Sequence, residues 1–295
     1  MLNSKNIVFN IYRKFREKAN RGRGIGFGKS SIGKKLIKST DEMLKPDYCF
    51  VQGHKMFLDK FDSLDLSINK EYGVLETKII KDEIKPGDIV LDIGAHIGYF
   101  TLILAKYVGD KGLVCAFEPE PKNFKLLSKN VQVNNYKNVI LTNKAVSNKN
   151  EKCLLYVGQE SSGANRIYEP KKSLSQKFQT VTTETIVLDD FFKNKENLDK
   201  ISFIKMDMEG AEYKAILGMD LLFEKNKKIS ILTEFSKKSI EDSGHTSLEF
   251  IDFFYNNGFQ VNLLDEKNKK IVPITKTELL KIDSNTQLIN LLCKR

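Results

Sequence analysis

Residues 89–101 read IVLDIGAHIGYFT. Ile89, Val90, Leu91 and Ile93 have the continuous apolar character of a strand buried on both faces, with Asp92 near its end. Gly94-Ala95-His96-Ile97-Gly98 follows, and from Tyr99 to Tyr107 the spacing is helical. A strand turning tightly into a helix places its turn at the carboxyl edge of a parallel sheet, where open α/β folds bind ligands. Gly94 and Gly98 let ligand and backbone approach closely.

A second acid follows at a telling interval. Gly112 to Phe117 is an apolar strand that ends in Glu118. In a nucleotide-binding βαβ unit, an acid ending the second strand takes the two ribose hydroxyls. The turn is G-x-x-x-G, however, and not the G-x-G-x-x-G of dinucleotide binders, so no cradle for a pyrophosphate is evident. An adenosine ligand without phosphates fits better, and S-adenosylmethionine is the obvious one. The bland alternative is a glycine turn closing an ordinary α/β crossover.

Working outward, strands and helices alternate: strands at 89–93, 112–118 and 138–146, helices at 99–107 and 121–133. Upstream, 48–58 suggests a hairpin turning at Gly53, and 73–84 a helix ended by Lys85-Pro86-Gly87-Asp88. Downstream, strands are expected at 151–157, 178–187, 201–207, 229–235, 259–264 and 286–293, with helices at 211–224 and 246–257. The alternation predicts an α/β fold, a mostly parallel sheet with helices on both faces.

Residues 201–212, ISFIKMDMEGAE, form a second acidic centre. An apolar strand runs into Asp207 and Glu209, then a glycine, then a helix. If the chain stays extended, Asp207 and Glu209 point to the same side. Glu212 is expected to help begin the helix, where acids suit the helix dipole. The competing reading makes Asp207 a helix cap and Glu209 a surface acid.

The order VLDIGAHIGYFT, AFEPEPKNFKLLSKNVQVNN, NKAVSNKNEKCLLYV, IKMDMEGAE resembles the FkbM family of S-adenosylmethionine-dependent methyltransferases. The resemblance runs from about Gly53 to the C-terminus. It implies a class I methyltransferase (Rossmann-like) fold, with a seven-stranded sheet whose last strand is antiparallel. It also implies methylation of oxygens, often of sugar or secondary-metabolite hydroxyls. Carried over, Asp92, Gly94, Ala95, His96 and Gly98 would hold the amino-acid end of the cofactor and Glu118 the ribose. Asn143 to Ala145 would lie by the adenine, and Glu76 resembles an upstream acid that reaches the cofactor. Asp207 is expected to serve the cofactor side as well as the acceptor. The family usually has Asn where this chain has His96.

Methyl transfer asks the protein mainly for orientation and shielding. A neutral sugar hydroxyl is a poor nucleophile, so a base within hydrogen-bond reach helps. Asp207 and Glu209 are the chosen catalytic residues, ahead of Glu234, His96 and His245. Asp207, Glu209 and Glu234 offer oxygens that suit Mg²⁺, but no metal is assigned. Acceptor specificity is expected in the loops 159–170 and 242–246.

Bulk composition bounds the rest. The 295 residues are 41% hydrophobic, enough for a sizeable core. No stretch approaches the roughly 20 apolar residues of a membrane span, and no apolar h-region follows the basic N-terminus. Cys49, Cys115, Cys153 and Cys293 lack metal or redox spacing and read as reduced thiols of a cytoplasmic protein. The net charge of +10 sits in residues 1–38, where Glu17 is the sole acid, and the remainder is neutral. A basic extension (1–45) ahead of a methyltransferase domain (46–295) is therefore expected. Within it Ile7, Val8, Ile11, Tyr12 and Phe15 form one helical face beside basic residues. That pattern suits either packing on a core or peripheral contact with an anionic membrane. Gly28-Lys29-Ser30 is not a phosphate loop, because position 23 is Arg. A nucleic-acid methyltransferase is disfavoured by the neutral core and by D-M-E-G where an N-P-P-Y-like motif would stand. The other alternative is a cofactor-binding protein without chemistry.

Overall fold

The computed structural model describes residues 9, 11–14, 40, 43–171, 177–193, 198–282 and 288–295. The chain divides into two compact units, Met1–Gly73 and Val74–Arg295. In the first, β1 (Tyr48–Val51) and β2 (His54–Phe57) pair antiparallel in the expected hairpin. Its two-residue loop holds Gln52 at φ 51° and Gly53 at φ 85°, both left-handed as a type I′ turn requires. The short α1 (Leu66–Asn69) follows, its Leu66 and Ser67 N–H groups bonded to the Asp62 carboxylate at 3.0 and 2.9 Å. Of the predicted N-terminal helix, residues 11–14 are helical. Ile7, Val8 and Phe15 lie outside the described residues.

The second unit carries α2 (Val74–Glu83), β3 (Ile89–Ile93), α3 (Tyr99–Val108), β4 (Leu113–Phe117), α4 (Pro121–Val133) and β5 (Val139–Thr142). Next come β6 (Ala145–Val146), β7 (Lys152–Gly158), β8 (Phe178–Ile186), α5 (Leu188–Phe192) and β9 (Ile201–Met206). Then follow α6 (Glu212–Ile216), α7 (Asp220–Lys225), β10 (Ser230–Phe235), α8 (Lys237–Asp242), α9 (Ser247–Asn256) and β11 (Gln260–Asp265). The last are β12 (Lys270–Pro273), α10 (Lys276–Lys281) and β13 (Ile289–Lys294).

The main sheet has the order β12-β11-β13-β10-β9-β3-β4-β5. From β10 through β5 neighbours are parallel, while β13 runs antiparallel between β10 and β11. That is the class I methyltransferase sheet, its chain-terminal strand antiparallel. It has eight strands and not seven, because the chain after β11 folds back as the hairpin strand β12. The central strands are apolar throughout because both faces are covered: every residue of β3 is buried, whereas the edge strand β12 has none. The core joins Leu91, Phe117, Ile204, Ile231 and Leu291 to Phe250 and Phe254 of α9.

Two local expectations are corrected. The stretch 138–146 is not one strand: it breaks at Asn143-Lys144, and β6 pairs with β8 in a separate sheet, β6-β8-β7. The helix expected at 211–224 is two short helices. Gly218 lies where a Cβ would come within 2.6 Å of the Ser147 carbonyl. The Asp189 carboxylate restarts the helix by accepting the Leu221 and Leu222 N–H groups at 2.8 and 3.0 Å. Helices α8 and α10 fall outside the elements expected above. Both are short and are started by side-chain caps from Ser236 and Thr275. The four cysteines are free thiols. Among the described residues no helix is long and apolar enough to cross a membrane.

Candidate active site

The turn after β3 is built on left-handed backbone: Gly94 at φ 79°, His96 at 52° and Gly98 at 93°. The N–H groups of Gly94 and Ala95 both reach the Phe117 carbonyl at 3.0 Å, which stitches the turn to β4. A Cβ on Gly94 would stand 1.9 Å from the Asp207 carbonyl oxygen. Glycine is needed there for φ and because the tip of β9 abuts the turn. His96 occupies a conformation that Asn, Asp and His tolerate better than most residues, a physical reason why His stands where the family usually has Asn.

Glu118 closes the other side. Its carboxylate accepts the His96 N–H at 2.8 Å and the Glu120 N–H at 2.9 Å. Burial pushes its pKa up to about 7, against the opposing pull of those two hydrogen bonds. Each oxygen keeps lone-pair capacity beyond its backbone donor. The Asn143 amide donates to the backbone oxygens of Glu118 and Pro119 at 2.8 and 3.2 Å, pinning the exit from β4. Ala145 is buried one element away, in β6 opposite Thr185 of β8.

Beneath the turn lies a buried charge cluster. Asp92 of β3 and Lys205 of β9 are register partners, so their side chains share a face. Thr101 donates to Asp92 Oδ2 at 2.5 Å. Lys205 Nζ reaches Asp207 Oδ2 at 3.3 Å and lies 4.8 Å from the centre of the Phe100 ring. Burial alone would lower the Lys205 pKa, but Asp207, Asp92 and Glu76 carry it above its ordinary value. Glu76, on α2, accepts from the Asn290 amide at 2.8 Å, and burial raises its pKa to about 7. Burial likewise raises Asp92, with Lys205 and Thr101 opposing.

At the β9 tip the chain leaves the extended conformation. Strand β9 ends at Met206, and Glu209 is left-handed at φ 56°. The strand alternation that would align Asp207 with Glu209 therefore does not operate. Glu212 does begin α6 as expected. Its carboxylate also accepts the Met208 N–H at 2.8 Å and the Gly210 N–H at 3.3 Å, and so clamps the loop. Glu234 lies level with Asp207, because Thr233 and Met206 are register partners. Burial, then Asp207, Glu212 and Glu209, raise the Glu234 pKa well above its ordinary value. His245 packs edge-on against Tyr213, ring centres 5.1 Å apart. It precedes the Thr246–Glu249 capping box that starts α9.

A segment running from 159 to 171 spans both halves. Ser162 Oγ and His96 Nε2 share a hydrogen bond of 2.6 Å, and the Asn123 amide donates to the Ser162 carbonyl at 2.8 Å. Further along, Arg166 pairs with Glu209 at 3.2 Å, and the Tyr168 hydroxyl donates to the Glu209 carbonyl at 2.5 Å.

The structure thus brings Asp92, Gly94, Ala95, His96, Gly98, Glu118, Asp207 and Glu209 to one sheet edge, with Glu76 joined through the Lys205 cluster. Sequence reasoning missed Lys205 and Asn290 as site residues, while Ser162, Arg166 and Tyr168 lie in the loop 159–170 expected to set acceptor specificity but were not singled out within it. Lys205 had a signal, since a lysine inside ISFIKM must find a charge partner once the strand is buried. Asn290 had none, and Ser162, Arg166 and Tyr168 had only the loop that holds them.

The residues fit S-adenosylmethionine on one observation. Asp92 Oδ1 and Glu76 Oε2 are buried and have no hydrogen-bond partner among the described residues. Two carboxylate oxygens left so, with Lys205 already turned to Asp207, suit an added cationic donor such as the cofactor's α-ammonium. Among the described residues, no group of three or more His, Cys, Asp or Glu is arranged to hold a metal ion.

A family model described as the methyltransferase FkbM domain matches residues 92–261. Methyltransferase 1 of Beauveria bassiana is 25% identical over 145 residues, 44% of this chain. The match spans 58% of that relative's own length. Among solved structures, M. jannaschii TYW2 in complex with AdoMet is 16% identical, with a TM-score of 0.41 over 84% of this chain and 85% of that one. A SAM-dependent O-methyltransferase of Thermotoga maritima is 13% identical, with a TM-score of 0.42 over 84% of this chain and 77% of that one.

Proposed function

The chain belongs to the FkbM methyltransferase family and its cofactor is S-adenosylmethionine, and on that footing we propose that it methylates a hydroxyl oxygen of a sugar, glycan or lipid-linked glycan. The observation behind this is the closeness of Asp207 to Gly94, which sets the acids of the β9 tip beside the cofactor turn. When bound, the cofactor supplies a methyl group already activated on a sulfonium. The chain's own part is to orient the acceptor and hold its proton. Asp207, with a side chain 39% exposed, is open to an incoming hydroxyl, and Lys205 Nζ lies 3.3 Å from its Oδ2. Asp207 or Glu209 accepts the hydroxyl proton as the oxygen becomes the nucleophile, a role that contributes about 10²–10⁴-fold. Asp92 and Glu76 would receive the cofactor's ammonium, Glu118 its ribose, and Asn143 and Ala145 would line the adenine side.

Residues 1–45 are proposed as a separate basic extension, and residues 1–38 as a peripheral contact for anionic membrane. There the cytoplasmic enzyme would meet lipid-linked acceptors.

Transfer of labelled methyl from S-adenosylmethionine to fractionated glycans, lipids and RNA tests the reading. Label is expected in a glycan or glycolipid fraction. Label in RNA, or binding of the cofactor with no transfer to any fraction, would overturn it.

A further inference from the structure

Among the described residues, Glu209 is the one acid of the site that the segment 159–171 holds by two separate groups. We propose that Arg166 and Tyr168 are positioning residues that fix Glu209 in its acceptor-facing geometry, an inference that rests on the reading of Glu209 as an acid serving the acceptor.

Glu209 is a non-glycine residue at φ 56°, a left-handed conformation that is costly for an L side chain and persists only where its surroundings enforce it. Two contacts enforce it here. The Tyr168 hydroxyl holds the Glu209 carbonyl, setting the backbone. The Arg166 guanidinium holds the carboxylate, setting the side chain. Arg166 is itself braced: its backbone N–H and carbonyl bridge to Tyr156 of β7 at 3.0 and 2.8 Å. Its guanidinium lies 5.9 Å from the ring centres of both Tyr168 and Phe178. The pair is only 12% and 25% exposed, so solvent screens it little.

The charged groups facing Glu209 come from three elements: Arg166 on the segment, Asp207 on its own loop, and Glu234 on β10. Burial and then Asp207 raise the Glu209 pKa, and Arg166 opposes them. Arg166 is thus the group that favours an anionic Glu209 in a crowd of carboxylates. The segment's other end sits on His96 and Asn123, so the residues that set the acceptor acid are carried by the same stretch that touches the cofactor turn.

The test uses the full chain with S-adenosylhomocysteine bound and the Glu209 carboxyl followed by ¹³C NMR through a pH titration. Arg166→Met should move the Glu209 midpoint to higher pH, Arg166→Lys should restore much of it, and Tyr168→Phe should leave the midpoint near wild type. All three should bind S-adenosylhomocysteine within about twofold of wild type, since none touches the cofactor turn. With the glycan fraction labelled by the wild-type enzyme, Arg166→Met and Tyr168→Phe should lose about ten- to a hundredfold in kcat, the scale of a misplaced catalytic group. A Glu209 midpoint unmoved in Arg166→Met, or unchanged turnover in both Arg166→Met and Tyr168→Phe, overturns the inference. If Arg166→Met does not fold, Arg166→Lys and Tyr168→Phe decide it by the same criteria. Wild-type turnover of Glu209→Gln instead removes the underlying reading of Glu209, and the inference falls with it.

Discussion

Assigning the cofactor's ribose to Glu118 makes a quantitative demand on two variants. In the free protein each carboxylate oxygen already takes one backbone N–H, from His96 at 2.8 Å and from Glu120 at 2.9 Å. The ribose hydroxyls would use the lone pairs that remain. Glu118→Gln keeps the shape and one acceptor oxygen. Its amide nitrogen must face a backbone N–H, which leaves a buried donor unpaired at a cost to stability of about 1–3 kcal/mol. For binding, one hydroxyl still finds an oxygen and the other can accept from the amide. The loss is then mainly of charge assistance, about 1.4 kcal/mol or tenfold in Kd. Glu118→Ala removes both acceptors. It should cost about 2–3 kcal/mol, or roughly thirty- to a hundredfold. Titration calorimetry with S-adenosylhomocysteine measures both, with a melting curve on each variant to show that it is folded. The pH dependence gives an independent reading. The carboxyl pKa in the free protein is about 7, and binding prefers the anion. Wild-type affinity should therefore fall as pH drops below about 7, while Glu118→Gln stays flat. An Ala variant that is folded and binds as wild type would refute the ribose assignment.

Asp207→Asn should keep the melting profile and lose at least about a hundredfold in methyl transfer; near-wild-type turnover in both Asp207→Asn and Glu209→Gln would make the acids structural. Gly94→Ala meets both a left-handed φ and the Asp207 carbonyl 1.9 Å from the new Cβ. It should lower the free energy of unfolding measured in urea by about 3 kcal/mol or more and abolish cofactor binding, and wild-type stability would contradict the close approach of the two strand tips. The proposed membrane contact predicts that the full chain floats with anionic but not neutral vesicles and is released by high salt, whereas a chain starting at Pro46 stays in solution yet binds cofactor. Equal flotation of both, or of neither, would leave the N-terminal helix without a membrane role.

Most of the order of strands and helices, the glycine turn after β3 and the acids at the ends of β3, β4 and β9 were legible in the chain because each is a local property. Apolar runs such as IVLDI and ISFIKM mark strands buried on both faces. Gly94 and Gly98 mark a turn that other residues cannot make, and an acid after each apolar run marks the sheet's carboxyl edge. Tertiary structure decided what those local signals cannot carry. Residues 138–146 have the composition of one strand, and only the positions of β4 and β8 divide them between two sheets. Strand β12 exists because β11 has an open edge for a hairpin to cover. Glu209 has the spacing of a strand residue, but its backbone is turned by contacts from residues some forty positions away. Arg166 and Tyr168 sit in a polar stretch with no periodicity, and Asn290 meets Glu76 across more than two hundred residues. Which acids stand bare and which find a cation is a property of the packed site, because a buried charge takes its energy from whatever the fold sets beside it.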